Sequence, residues 1–329
     1  MHSVNFYEKK NVQIMRQLIT TYGLLYVSPD QASAVNLGGV SVQEALGVYL
    51  NCARTLAKSL KTAGLDFVLL TNNSDALSDI GNVYLEDLEI REIAFDTIVP
   101  IGIRFYSAHY KIDVFKYLSQ IESGYSIFLD LDVICIGRVP ESVRECARVN
   151  MPMIYDISNQ IIGGRGLDYL TEDLEKFIST DKIMWCGGEF VAGNSVFFKE
   201  LSSEIEQIYP HYLANIDKLN HVGDEVLLTL SVMSLLNKGK QIKNASEEFS
   251  IVRYWSAGAK HRQVDVRNCI DAFILHLPAD KLFLANLDIG VRGVDYVRRE
   301  VLTHLNSADL VIKRTIRSVL RVFKFRIKN

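Results

Sequence analysis

Paired cysteines are what this chain most plainly lacks. Cys52, Cys135, Cys146, Cys186 and Cys269 are odd in number and scattered over 329 residues, with no C-x-x-C pair. That argues against a disulfide framework and a zinc cluster, and it favours a reducing compartment. Proline is also scarce, at 6, and the 20 glycines are spread thinly, which excludes a collagen-like, linker-dominated or disordered chain. No apolar run approaches the eighteen residues a spanning helix needs. The opening MHSVNFYEKKNVQ has no apolar centre and does not read as a secretory signal. The sequence thus predicts a cytoplasmic protein, with peripheral attachment to a membrane left open.

Charge of one sign is missing from the two parts of the chain in different ways. The formal net charge is −3, yet residues 311–329 hold seven cations and no acid. The preceding 310 residues therefore set 29 Lys and Arg against all 39 acids and stand at −10. An acidic body is a poor nucleic-acid binder, because phosphate contacts need positive surface. The basic tail needs its own explanation.

What is present is an alternation of strand-like and helix-like segments. Short apolar runs at 24–27, 66–71, 88–95 and 125–129 predict strands, and the spacing at 42–62 and 106–121 predicts helices, the first closed by Gly64. Farther on, strands are predicted at 188–198, 249–254 and 272–276, and helices at 199–217 and 223–236. Alternation of this kind predicts an α/β fold with a mostly parallel sheet. In such sheets ligands bind outside the carboxyl ends of the strands. Attention falls on Ser28 and Asp30, on 71–75, and on Asp130 and Asp132.

Asp130-Leu131-Asp132 ends one apolar run and precedes another, Val133 to Ile136. Two carboxylates two residues apart on a tight turn can reach one hard cation, Mn²⁺ or Mg²⁺, which completes its shell with phosphate and water. A simple turn is the competing explanation.

The segment FLDLDVICIG resembles the D-x-D strand of GT-A fold glycosyltransferases, especially the glycogenin-like and bacterial lipopolysaccharide galactosyltransferase-like enzymes of family 8. Other segments follow the same order. Tyr110 to Phe115 is similar to an F-T-K-L-x-x-W element, with Lys111 as the donor-contacting lysine. Cys186 to Asn194 resembles an N-A-G strand whose glycine, here Gly193, approaches the donor sugar, although Val191 replaces the usual asparagine. His221 to Leu228 is similar to a D-Q-D-x-L-N element, in which Asp224 or Glu225 would face the anomeric carbon or the acceptor. His276 to Lys281 resembles H-x-x-G-x-x-K, with Ala279 for the glycine and the lysine one residue nearer.

The resemblance implies a GT-A (Rossmann-like) nucleotide-diphospho-sugar transferase over 1–295, followed by a helical, basic segment at 296–329. It implies a metal held by Asp130, Asp132 and His276, and donor contacts from Ser28, Asp30, Lys111, Asp130, Gly193 and Lys281. The catalytic candidates are Asp224 and Glu225. The implied reaction moves a sugar, with retention, from a UDP-type donor to a glycan or lipid-linked glycan in bacterial surface polysaccharide synthesis. Competing readings are a non-catalytic nucleotide or glycan binder on a transferase scaffold and a haloacid-dehalogenase-type phosphatase. The latter is weakened by the 129 residues ahead of Asp130.

In the tail, Ile312, Ile316, Val319, Leu320, Phe323 and Ile327 recur at steps of three and four, with Arg317, Arg321, Lys324 and Lys328 mainly opposite. A basic amphipathic helix of this kind predicts attachment to an anionic membrane surface, on the inner face of the cell membrane. Docking on the acidic body is the alternative.

Overall fold

The computed structural model describes residues 18–27, 37, 40–80, 88–161, 166–178, 184–259, 262–290 and 292–326, and side chains only up to 317 in the last helix. Among the described residues, ten strands fall into two sheets. They are β1 (Ile19–Leu25), β2 (Asp66–Thr71), β3 (Glu89–Glu92), β4 (Tyr125–Leu129), β5 (Val133–Cys135), β6 (Met153–Asp156), β7 (Cys186–Gly193), β8 (Lys243–Asn244), β9 (Ile251–Arg253) and β10 (Ile274–His276).

The larger sheet has the order β3-β2-β1-β4-β7-β6-β8. β3, β2, β1 and β4 are mutually parallel, and β7 runs antiparallel to both β4 and β6. The α/β class and the mostly parallel sheet follow the sequence expectation. β5, β10 and β9 form the smaller sheet, with β10 central.

Among the described residues the α-helices of six or more residues are α1 (Val42–Thr62), α2 (Ser74–Ile80), α3 (Lys111–Leu118), α4 (Glu141–Val149), α5 (Gly166–Glu175), α6 (Ser195–Asn215), α7 (Asp224–Asn237), α8 (Lys281–Asn286), α9 (Val294–Leu305) and α10 (Ala308–Arg326). α1 has the predicted bounds because both ends are signalled locally. Ser41 and Glu44 form a reciprocal capping box at its start. Gly64, at φ +81°, takes the left-handed position just beyond its end.

Other elements differ from expectation for identifiable reasons. β1 begins five residues before the predicted 24–27, because its first part, ITTYG, is polar in composition although Ile19, Thr21 and Tyr22 are buried. The predicted strand at 188–198 ends at Gly193, where the Asn194 side chain accepts from Phe197 N and starts α6. The predicted helix over 106–121 is a 3₁₀ turn (Tyr106–Tyr110) leading into the shorter α3.

One apolar core links the two sheets and the helices. α1 packs on β2, β5 and α8, while α6 packs on α3 and α7. Val297, Val301 and Leu305 of α9 join the same core, so the helical segment after residue 295 begins as part of the body. All five cysteines are buried and free.

Candidate active site at the carboxyl ends of the strands

The carboxyl end of β4 carries Asp130, and the pairing of neighbouring strands builds the rest of the site around it. Leu129 pairs with Phe190 of β7, so Asp130 N meets Glu189 O at 3.3 Å. The turn through Leu131 and Asp132 leads into β5, which pairs antiparallel with β10 so that Val133 faces His276. Leu277 N donates to Asp132 O at 2.9 Å. β9 pairs parallel with β10 and sets Arg253 beside His276. A row across three strands therefore joins residues 144 positions apart in sequence (Asp132 and His276).

Two charge clusters result. In one, Lys111 Nζ lies 2.7 Å from Asp130 Oδ1 and 2.7 Å from Asp224 Oδ2, and donates to Gly188 O at 2.9 Å. Burial works against the lysine's charge, but the two carboxylates outweigh it and hold its pKa above the ordinary value. Burial likewise pushes Asp130 up to about 6, with Lys111 opposing.

In the other cluster, Asp132 meets His276 Nε2 at 3.1 Å and Lys281 Nζ at 2.6 Å. His276 Nδ1 is 2.9 Å from Glu189 Oε1. Burial alone would lower the His276 pKa, yet the flanking Asp132 and Glu189 carry it up to about 9. Arg253 closes the set, donating through Nε to Glu189 and through Nη2 to both Glu189 and Glu225.

The helices that deliver these groups are fixed by buried polar contacts. His109, ahead of Lys111, bonds Tyr212 of α6 at 2.8 Å, and the same hydroxyl accepts from Gly223 N at 3.0 Å. Tyr212 thus ties the start of α3 to the start of α7, which carries Asp224 and Glu225. The Glu225 carboxylate takes the Trp185 indole N–H at 2.8 Å, Arg253 at 2.7 Å and His221 at 3.4 Å. Burial opposes its ionisation, but Arg253 and His221 prevail and hold its carboxyl below the usual range.

Of the sequence-predicted residues, Lys111, Asp130, Asp132, Asp224, Glu225, His276 and Lys281 come together here. Ser28 and Asp30 lie outside the described residues. Contrary to expectation, Gly193 does not join the site. It pairs with Ser126 at the start of β4, the opposite end from Asp130, and a Cβ there would lie 2.4 Å from Phe197 Cδ1. Its bareness serves packing.

The glycines that bring backbone close to the site are Gly187 and Gly188. A Cβ on Gly187 would sit 2.4 Å from Glu189 Oε2, and one on Gly188 1.9 Å from Asp224 Oδ2. Sequence reasoning also missed Glu189 and Arg253 as site residues. An acid inside the otherwise apolar CGGEFVAG run was the available signal for Glu189; Arg253 had none.

Asp130, Asp132 and His276 each offer a ligand atom, and the three atoms lie within 4.8 Å of one another. Two carboxylate oxygens and an imidazole nitrogen suit Mn²⁺ well and Mg²⁺ acceptably, so the donor set fits a divalent ion. A cavity of about 520 Å³ lined by Tyr26, Asn72, Glu92, Ile93, Ala94 and Phe95 lies beyond the ends of β1, β2 and β3. Tyr26 stacks on Tyr110, the residue before Lys111, with ring centroids 3.8 Å apart. Cavity and charge clusters thus share one edge of the sheet.

No protein-family model matches the chain, and no curated protein matches it by sequence. Solved structures do. The chain is similar to the galactosyltransferase LgtC in complex with donor and acceptor sugar analogs, at 11% identity over 89% of this chain and 99% of that one, with a TM-score of 0.47. It is similar to the bifunctional glycosyltransferase WbbM at 10% identity over 86% and 51%, with a TM-score of 0.47. It is also similar to mouse xyloside xylosyltransferase 1 at 13% identity over 80% and 98%, with a TM-score of 0.45. All three of those proteins are glycosyltransferases.

Proposed function

We propose that this protein is a metal-dependent glycosyltransferase. It moves a sugar from a nucleoside-diphosphate donor, UDP-linked, to a glycan or lipid-linked glycan acceptor, with retention, in the making of bacterial surface polysaccharide. The observation that carries this reading is the meeting of Asp130, Asp132 and His276 between two buried lysines at the carboxyl ends of the strands.

Each residue then has a task set by its surroundings. Asp130, Asp132 and His276 hold Mn²⁺ or Mg²⁺, and the ion when bound supplies charge neutralisation on the leaving diphosphate. Lys111 and Lys281, released from their carboxylates, are the point charges for phosphate oxygens. The cavity beside Tyr26 has the size of a small-ligand site and takes the base, with Ser28 and Asp30 as contacts to base or ribose. Glu225, held ionised by Arg253 and His221, and Asp224, held by Lys111, present negative charge to the sugar.

The test is incubation with Mn²⁺ and a panel of nucleotide sugars, following sugar transfer, donor hydrolysis and thermal stabilisation. One donor should raise the melting temperature and be turned over, and Asp132→Ala should abolish turnover. If no donor shifts melting and Asp132→Ala changes nothing, the reading fails.

The same reading attaches the enzyme to the inner face of the cell membrane through α10. Among its described side chains Ile312 is 56% and Ile316 53% exposed, while Leu310 is buried. Arg314 and Arg317 donate to Ser256 O and Gly258 O at 2.9 and 2.6 Å, so this face of the helix is docked on the body. The isoleucines are left for lipid, and no helix among the described residues is long and apolar enough to cross a membrane.

A further inference from the structure

Glu189 has no place in the reaction outlined above, yet it is fully buried and every polar contact it makes leads to a residue of the site. Its Oε1 is 2.9 Å from His276 Nδ1 and accepts from Arg253 Nε at 2.6 Å, and its Oε2 accepts from Arg253 Nη2. An unpaired carboxylate in such a setting costs several kcal/mol, so a chain keeps one there only with partners. An isolated acid inside an apolar strand would be stabilised more simply by a hydrophobic replacement. The surrounding sequence is shaped to admit it: Gly187 leaves the space that a Cβ, 2.4 Å from Oε2 and 3.0 Å from Arg253 Nη2, would fill.

The chemistry of the contact fixes the direction of the hydrogen bond. An ionised carboxylate only accepts, so His276 Nδ1 carries the proton and donates to Glu189. The other ring nitrogen, Nε2, is then the one that faces Asp132 at 3.1 Å. A histidine that ligates through one nitrogen is ordinarily held by a carboxylate on the other, which sets ring orientation and tautomer. Arg253 contributes in turn, gripping Glu189 through two nitrogens so that the carboxylate has little freedom.

We propose that Glu189, steadied by Arg253, is a positioning residue that presents His276 Nε2 to a divalent cation shared with Asp130 and Asp132. The inference rests on the metal-dependent reading above. It adds a residue outside the D-x-D and histidine motifs and gives the absence of a side chain at Gly187 a purpose. Glu189 touches neither donor nor metal; it acts through His276.

The experiment measures Mn²⁺ affinity of the full chain by calorimetry or by the electron-spin signal of free Mn²⁺, alongside thermal unfolding. Glu189→Gln and Glu189→Asp are compared with the wild type. Glu189→Asp keeps a negative partner for Arg253 but withdraws the carboxylate from His276, so it answers the question if Glu189→Gln does not fold. The expected result is Mn²⁺ binding weakened about 10–100-fold in a protein that still unfolds cooperatively. Variants that bind Mn²⁺ as tightly as the wild type, with only the melting temperature lowered, overturn the proposal and make Glu189 a structural ion-pair partner. A wild type that takes up no Mn²⁺ fails earlier, overturning the metal-dependent reading together with this inference.

Discussion

Gly188 faces Asp224 so closely that a methyl group on it would lie 1.9 Å from Oδ2, and 3.0 Å from Lys111 Nζ. The bare backbone is what lets the Lys111–Asp224 ion pair rest against β7. Gly188→Ala should therefore move the carboxylate, whose side chain is the part free to yield. A shift of about 1 Å in a site of this kind costs on the order of 10²-fold in turnover. The melting temperature should fall as well, because the displaced carboxylate belongs to a buried ion pair with Lys111. Gly193→Ala should lower the melting temperature and leave turnover near that of the wild type, because its Cβ meets the ring of Phe197 in the core and overpacking costs about 1–3 kcal/mol. Paired activity and unfolding measurements on the two variants check both, and equal activity losses would show that Gly193 belongs to the site after all.

Lys111 neutralises Asp130 and Asp224 at once, so its removal should expose both. Breaking a buried pair by deleting one partner costs about 3–5 kcal/mol. In Lys111→Met that loss should depend on metal, since a cation on Asp130 takes over part of the lysine's work and binding to the folded state raises stability. Thermal unfolding with Mn²⁺ and with a chelator should show a larger metal-induced rise for Lys111→Met than for the wild type. An equal rise in both would mean that the metal and Lys111 do not share Asp130.

Asp132 is tied to His276 and Lys281 and is the carboxylate most enclosed by the candidate metal site. Asp132→Asn keeps the shape and removes the charge. Stabilisation of a leaving diphosphate by a cation is worth several kcal/mol, so turnover should fall on the order of 10³-fold. A chelator should bring the wild type down to the level of the variant and leave the variant where it was. If the chelator still inhibits Asp132→Asn strongly, the metal is held without this residue.

These three predictions draw unevenly on what could be read from sequence. Asp130 and Asp132 were legible because a strand and its terminal turn are local features. Lys111, Asp224, Glu225, His276 and Lys281 were found by motif resemblance, and strand pairing brings them together. Glu189 and Arg253 were not found, because the row Asp132, His276, Arg253 exists only once β5, β10 and β9 are paired side by side. Gly193 lies apart from the site for a similar reason: the antiparallel pairing of β7 with β4 sends the end of β7 away from Asp130 and its beginning toward it. β1 was read short because burial there includes Thr21, whose hydroxyl is satisfied by Asp66 O at 2.6 Å, so no apolar pattern marks it.

The tail admits a sharper test than deletion, because Leu310 is buried and Arg314 and Arg317 hold the loop at Ser256 and Gly258. Deletion would disturb the body as well as any lipid contact. Ile312 and Ile316 are exposed and make none of these contacts, so Ile312→Glu with Ile316→Glu changes the outward face alone. The tail sequence holds five cations besides these two arginines, and each cation near an anionic surface contributes about 1 kcal/mol. Charge alone should thus leave the double variant some attraction at low salt, while the apolar part of the binding is lost. Sedimentation with anionic vesicles should show the wild type pelleting at physiological salt and the variant remaining in the supernatant, with unchanged melting temperatures. Neutral vesicles should bring down neither. If the double variant pellets as the wild type does, the exposed isoleucines are not the lipid-facing surface; if the wild type itself stays in the supernatant, α10 serves as a strap on the loop beside Asp280, whose Oδ1 accepts from Ser256 Oγ at 2.7 Å.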